Sequence, residues 1–76
     1  MARVVLESAI EALQRACPAV HLHVCLVGDE LRFDGYLRET SESPSIVVRS
    51  TSLADAEREY KAAYRRMVAA GIVRAA

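Results

Sequence analysis

Apolar positions in the first turns of the chain recur at helical spacing. Leu6, Ile10, Leu13 and Cys17 fall on one line, and Val5, Ala9 and Ala16 widen that line into a stripe. Arg3, Glu7, Glu11 and Arg15 follow one another at i,i+4 on the opposite side, which suits a face kept in water. Pro18 lacks an N–H and its ring blocks the preceding turn, so the pattern predicts a helix over 3–16.

The period then changes to two. Val20, Leu22, Val24 and Leu26 alternate with His21, His23, Cys25 and Val27, which is the signature of a half-buried strand over 20–27. Gly28-Asp29 suits a two-residue hairpin turn of type I′ or II′, and Leu31, Phe33, Gly35 and Leu37 begin a second alternation. A two-residue turn sets Val27 against Glu30, Leu26 against Leu31, Val24 against Phe33, Leu22 against Gly35 and Val20 against Leu37. Every inward residue then meets an inward residue, and a slip of one position would destroy that match.

The polar stretch RETSESPS, residues 38–45, reads as a loop, and IVVRST, residues 46–51, as a third strand. Ile46 and Val48 point to the core in the preferred register, which leaves Val47, Arg49 and Thr51 on the other face. Ser52 and Asp55 make a capping pair that opens a long helix, with Ala56, Tyr60, Ala63, Tyr64 and Met67 as its apolar stripe. Gly71 followed by Ile72 marks its end, Gly taking the left-handed conformation and Ile72 expected to pack back. The element order is αβββα. The expected fold is a two-layer α+β domain spanning 1–76. A three-stranded antiparallel meander carries both helices on one face and leaves the other face uncovered.

Composition adds pressure toward a partner. The chain has 76 residues and is 53% hydrophobic, but much of that is Ala and Val, with no Trp and one Phe. So thin a core favours a homodimer or higher homo-oligomer. Ten basic residues balance ten acidic ones, which removes any global pull toward nucleic acid or an anionic membrane. The opening MARVVLESAIEAL lacks the apolar core of a secretory signal, and the longest uncharged run, Ala16 to Gly28, falls short of the ~20 residues of a membrane helix. A cytoplasmic protein is expected. Two cysteines make neither a disulfide framework nor a four-thiolate zinc site. Cys17 belongs to the core stripe and Cys25 to the far face of the sheet, so the two are not expected to bridge.

The hairpin register also dictates what the uncovered face carries. His21 stands across from Tyr36, His23 across from Asp34 and Cys25 across from Arg32, with Arg38 continuing the row and Arg49 joining from the third strand. Metal chemistry would draw on His21, His23 and Asp34 with Cys25 as a fourth ligand, but a flat sheet face with an arginine beside the thiol is the wrong setting, and no metal or other cofactor is expected. Stacking and phosphate contact by Arg32, Arg38, Arg49, Tyr36 and the histidines is the nucleic-acid alternative. Self-association through the face or an edge of the sheet is the favoured reading, since Tyr and Arg are common at interfaces. No nucleophile elbow or phosphate-cradling loop is present, so neither an enzyme nor a small-molecule substrate is expected. Tyr60 and Tyr64 read as core residues whose hydroxyls reach the edge.

The αβββα order, the hairpin and the length resemble the topology of the double-stranded-RNA-binding domain over essentially the whole chain. That family opens its second helix with a lysine-rich motif that meets phosphates. Here the stretch is TSLADAEREYK, where Asp55, Glu57 and Glu59 favour the helix dipole and repel phosphate, so the family's RNA-binding residues have no counterparts. The same strand-to-helix junction also looks like that of WGR domains and arm-binding integrase domains.

Overall fold

The computed structural model describes residues 3–74. Helix α1 (Arg3–Ala16) leads into strands β1 (His21–Val27), β2 (Glu30–Tyr36) and β3 (Ile46–Ser50), and helix α2 (Leu53–Ala69) closes the chain. The sheet is an antiparallel meander in the order β1-β2-β3. Helix α1 lies against β1, α2 lies against β3 and β2, and the two helices touch. This is the two-layer α+β arrangement expected from the pattern.

The β1–β2 register matches the expected one at every pair from His21↔Tyr36 to Val27↔Glu30. The Val20–Leu37 pair lies beyond the ladder. Only Gly28 has a positive φ at the turn, +63°, so type I′ is excluded and type II′ fits. On β3, Phe33 pairs with Val48 and Gly35 with Ile46, which places Ile46 and Val48 in the core as preferred.

Leu13, Val20, Phe33 and Tyr60 are fully enclosed, and Cys17, Leu31, Ile46, Ala56 and Met67 complete most of the core. Each large side chain of this set contributes about 1.5–3 kcal/mol by leaving water. The Ser52 hydroxyl accepts from the Asp55 N–H at 3.3 Å and caps α2. At the other end the Ile72 N–H donates to the Met67 carbonyl and the Gly71 N–H to that of Val68, with Gly71 at φ +75°. This is a Schellman closure. Ile72 itself stays 57% exposed, and Val73 packs against the core in its place.

Two further expectations need correction. Leu26 faces inward by register yet is 68% exposed: Leu6 of α1 comes alongside the turn end, but it, Leu26, Asp29, Leu31 and Thr51 line an open hollow instead of closing over one another. The Tyr60 hydroxyl does not reach an edge: it is buried with no hydrogen-bond partner among the described residues, while the Tyr64 hydroxyl accepts from the Ala19 N–H, between α1 and β1, at 3.3 Å. Cys17 and Cys25 are both free, the first buried and the second exposed. Glu7, Glu11 and Arg15 are exposed as a solvated row requires, and the Arg3 side chain lies outside the described residues.

Candidate interaction surface

Alternation sends His21, His23, Cys25 and Val27 of β1, Arg32, Asp34 and Tyr36 of β2, and Val47 and Arg49 of β3 to the face without helices. The ladder brings His23 beside Asp34 and Cys25 beside Arg32, as the register required. The side chains then choose other partners. Arg32 Nε donates to Asp34 Oδ1 at 3.0 Å along the same strand, and this pair leaves Asp34 only 8% exposed. The bond to Asp34 also raises the Arg32 guanidinium above its ordinary pKa. His23 turns its ring to Tyr36, edge to face, with centroids 5.0 Å apart and planes at 75°. The expected His23–Asp34 contact is replaced by these two, since a guanidinium is the better partner for a carboxylate.

His21 Nδ1 lies 3.9 Å from Glu39 Oε1, a residue of the β2–β3 loop. Arg38 does not continue the row. The strand ends at Tyr36, and Arg38 enters a turn in which the Ser41 N–H donates to its carbonyl and its own N–H donates to the Ser41 hydroxyl. Among the described residues no group of three or more His, Cys, Asp or Glu is placed to hold a metal ion. His21, His23, Asp34 and Cys25 therefore share a face without converging on a point.

The two edges of the sheet differ. Along β1, the Gln14 side chain reaches from α1 and behaves as a surrogate strand: its Oε1 accepts from the Leu22 N–H at 2.9 Å and its Nε2 donates to the Val20 carbonyl at 2.7 Å. One side-chain amide thus satisfies the donor and acceptor that a neighbouring peptide group would satisfy. Beside it Ile10, Glu11, Arg15, Pro18 and Leu22 line a shallow apolar hollow. Along β3 no such group intervenes among the described residues. A groove of about 510 Å³ runs there, with residues 45–49 on one wall and Glu59, Ala62, Ala63 and Arg66 of α2 on the other.

Sequence reasoning placed neither Gln14 nor the flank of α2 among the functional candidates. The flank did carry a signal. Glu59, Ala62, Ala63 and Arg66 sit at helical spacing beside the Tyr60 stripe, a short acidic–small–basic series that differs from a generic solvated face. Among the described residues no helix is long and apolar enough to cross a membrane. Compared with protein-family models, with curated proteins and with solved structures, the chain finds no match in any of the three.

Proposed function

We propose that this protein is a small non-enzymatic interaction module that works by self-association through its sheet. One observation carries the reading: the meander ends in a strand, β3, with no neighbour on its far side among the described residues and an open groove beside it. Unpaired edges expose rows of backbone donors and acceptors, and proteins ordinarily cover, twist or charge them unless the edge has a partner. The polar side chains of the outer face support contact rather than chemistry, because Arg32 is held by Asp34 and His23 by Tyr36. Half-exposed Val47 and Val27 and a thin core point the same way. An exposed free thiol at Cys25 accords with a reducing compartment, and the cytoplasm is where the module acts.

Sedimentation equilibrium of the purified chain, from about micromolar to about 100 micromolar, tests the reading. A homodimer or higher homo-oligomer whose mass falls on dilution is the expected result. A monomer throughout that range overturns it, and a monomer that retards RNA or DNA in a gel replaces it with the nucleic-acid alternative.

A further inference from the structure

We infer that the β3 edge and the adjoining flank of α2 form one two-fold interface with a second copy of this chain, an inference that rests on the self-association reading and specifies its geometry. Three observations converge on it.

Parity comes first. The Leu22 N–H points away from β2, toward Gln14, so His21, His23, Cys25 and Val27 are the β1 residues that bond to β2. Their partners Tyr36, Asp34, Arg32 and Glu30 face β1, and Leu31, Phe33 and Gly35 bond outward to β3. On β3 that leaves Val47 and Arg49 sending N–H and C=O groups to the open side. The Ser45 N–H is already used, donating to the Gly35 carbonyl at 2.8 Å. The edge is short, open and free of proline.

Symmetry of the groove comes second. Its β3 wall, residues 45–49, is centred on Val47, and its α2 wall is centred between Ala62 and Ala63. A two-fold axis over both centres sets Val47 against its own copy and Ala62 against Ala63 of the partner. Isologous interfaces require this kind of self-match. The alanines let two helices approach at the 8–10 Å typical of close packing. Val47, now half-exposed, would be covered on the outer face by the same contact.

Charge comes third. The same axis sets Glu59 of each copy opposite Arg66 of the other, twice per dimer. The flank is acidic toward the start of α2 and basic toward its end, so antiparallel placement is favoured and parallel placement opposed. An extended peptide of another protein would also fit an open edge, but it would not require the groove to match itself end for end.

The test uses the full chain. Glu59→Arg and Arg66→Glu each set like charges across the seam at two symmetric places, and each should raise the dimer dissociation constant on the order of tenfold at low salt. The double exchange Glu59→Arg/Arg66→Glu restores opposite charges and should recover most of the affinity. Both side chains are exposed, and circular dichroism checks that each variant stays folded. In a second arm, Val47→Cys in a Cys25→Ser background should give a cross-linked dimer with a short bismaleimide. A wild-type dimer that ignores the charge exchanges and gives no Val47→Cys cross-link overturns this interface and leaves self-association standing. A chain that is monomeric throughout overturns both. A dimer held instead through Cys25, cross-linking in the wild type only, moves the contact to the outer face and likewise overturns the seam.

Discussion

The Tyr60 hydroxyl occupies the space above Gly35 where any other residue would carry its Cβ. A Cβ built on Gly35 lies 2.6 Å from that oxygen and 3.2 Å from Ile46 Cβ. Glycine in mid-strand forgoes packing and costs chain entropy, so this position is set by the tyrosine that crosses it. Gly35→Ala is expected to destabilise the fold by about 1–3 kcal/mol, the usual penalty of overpacking a tight site. In a Tyr60→Phe background the closest clash is gone and part of the loss should return. Urea unfolding of the four members of this cycle gives the coupling, and a coupling near zero would show that the two residues do not constrain each other.

Tyr60→Phe alone should leave the melting temperature unchanged or raise it. The hydroxyl is buried without a hydrogen-bond partner among the described residues, so its removal relieves a desolvated polar atom at the cost of a small gap. A loss larger than about 1 kcal/mol would mean that the oxygen is satisfied after all.

Alkaline pH supplies a separate check. Burial raises the Tyr60 phenol above its usual value, and burial likewise raises the Cys17 thiol. A raised acid keeps its proton in the folded state where the unfolded chain has lost it. Its contribution to stability is therefore complete below the ordinary pKa and is lost as pH rises past it. Stability should begin to fall near pH 9 through Cys17 and fall further above about pH 10 through Tyr60. Denaturant midpoints measured from pH 7 to 11 should show a shallower decline above pH 10 in Tyr60→Phe.

Gln14→Ala should cost about 1–2 kcal/mol, since it removes three part-buried hydrogen bonds, with the Leu22 N–H and with the Val20 and Cys17 carbonyls. The Leu22 amide loses its acceptor, so its hydrogen exchange should accelerate far more than that of Phe33 in the middle of the sheet. Equal acceleration of both amides would mean that the glutamine acts on global stability alone.

On the outer face, Arg32→Ala is expected to lower the melting temperature, because it strips a nearly buried carboxylate of its guanidinium. Arg49→Ala, one strand over, should stay within about 0.5 kcal/mol. Asp34→Asn placed in the Arg32→Ala background should recover part of the loss, which thermal denaturation would show. Equal effects of the two arginine variants would place no special weight on the Arg32–Asp34 bond.

The hairpin register was legible because two local rules, alternation and a two-residue turn, agree on one answer at each pair from His21↔Tyr36 to Val27↔Glu30. The Ser52 cap and the Gly71 stop were legible for the same reason, since each depends on a few neighbouring residues. What alternation assigns is a face, and coverage of that face depends on where helices come to rest. Leu26 therefore kept its side of the sheet and lost its burial. Partner choice within a face was likewise beyond reach, because His23 had both Asp34 and Tyr36 within range and only the Arg32 geometry decided between them. The Arg38 row failed for a related reason: the turn closed by Ser41 diverts the chain one residue after the strand ends.

Gln14 gives the sheet a direction of growth. A sheet with two equally open edges can add strands on both sides without limit, which is the route to fibres. Here α1 supplies a dummy peptide group to the start of one border, taking up the Leu22 N–H and the Val20 carbonyl, so recruitment on that side begins at a disadvantage. An assembly made by joining two β3 borders would present only the partly guarded β1 borders to further copies, which disfavours growth beyond two. One amide on a helix can thereby separate a finite complex from an aggregate.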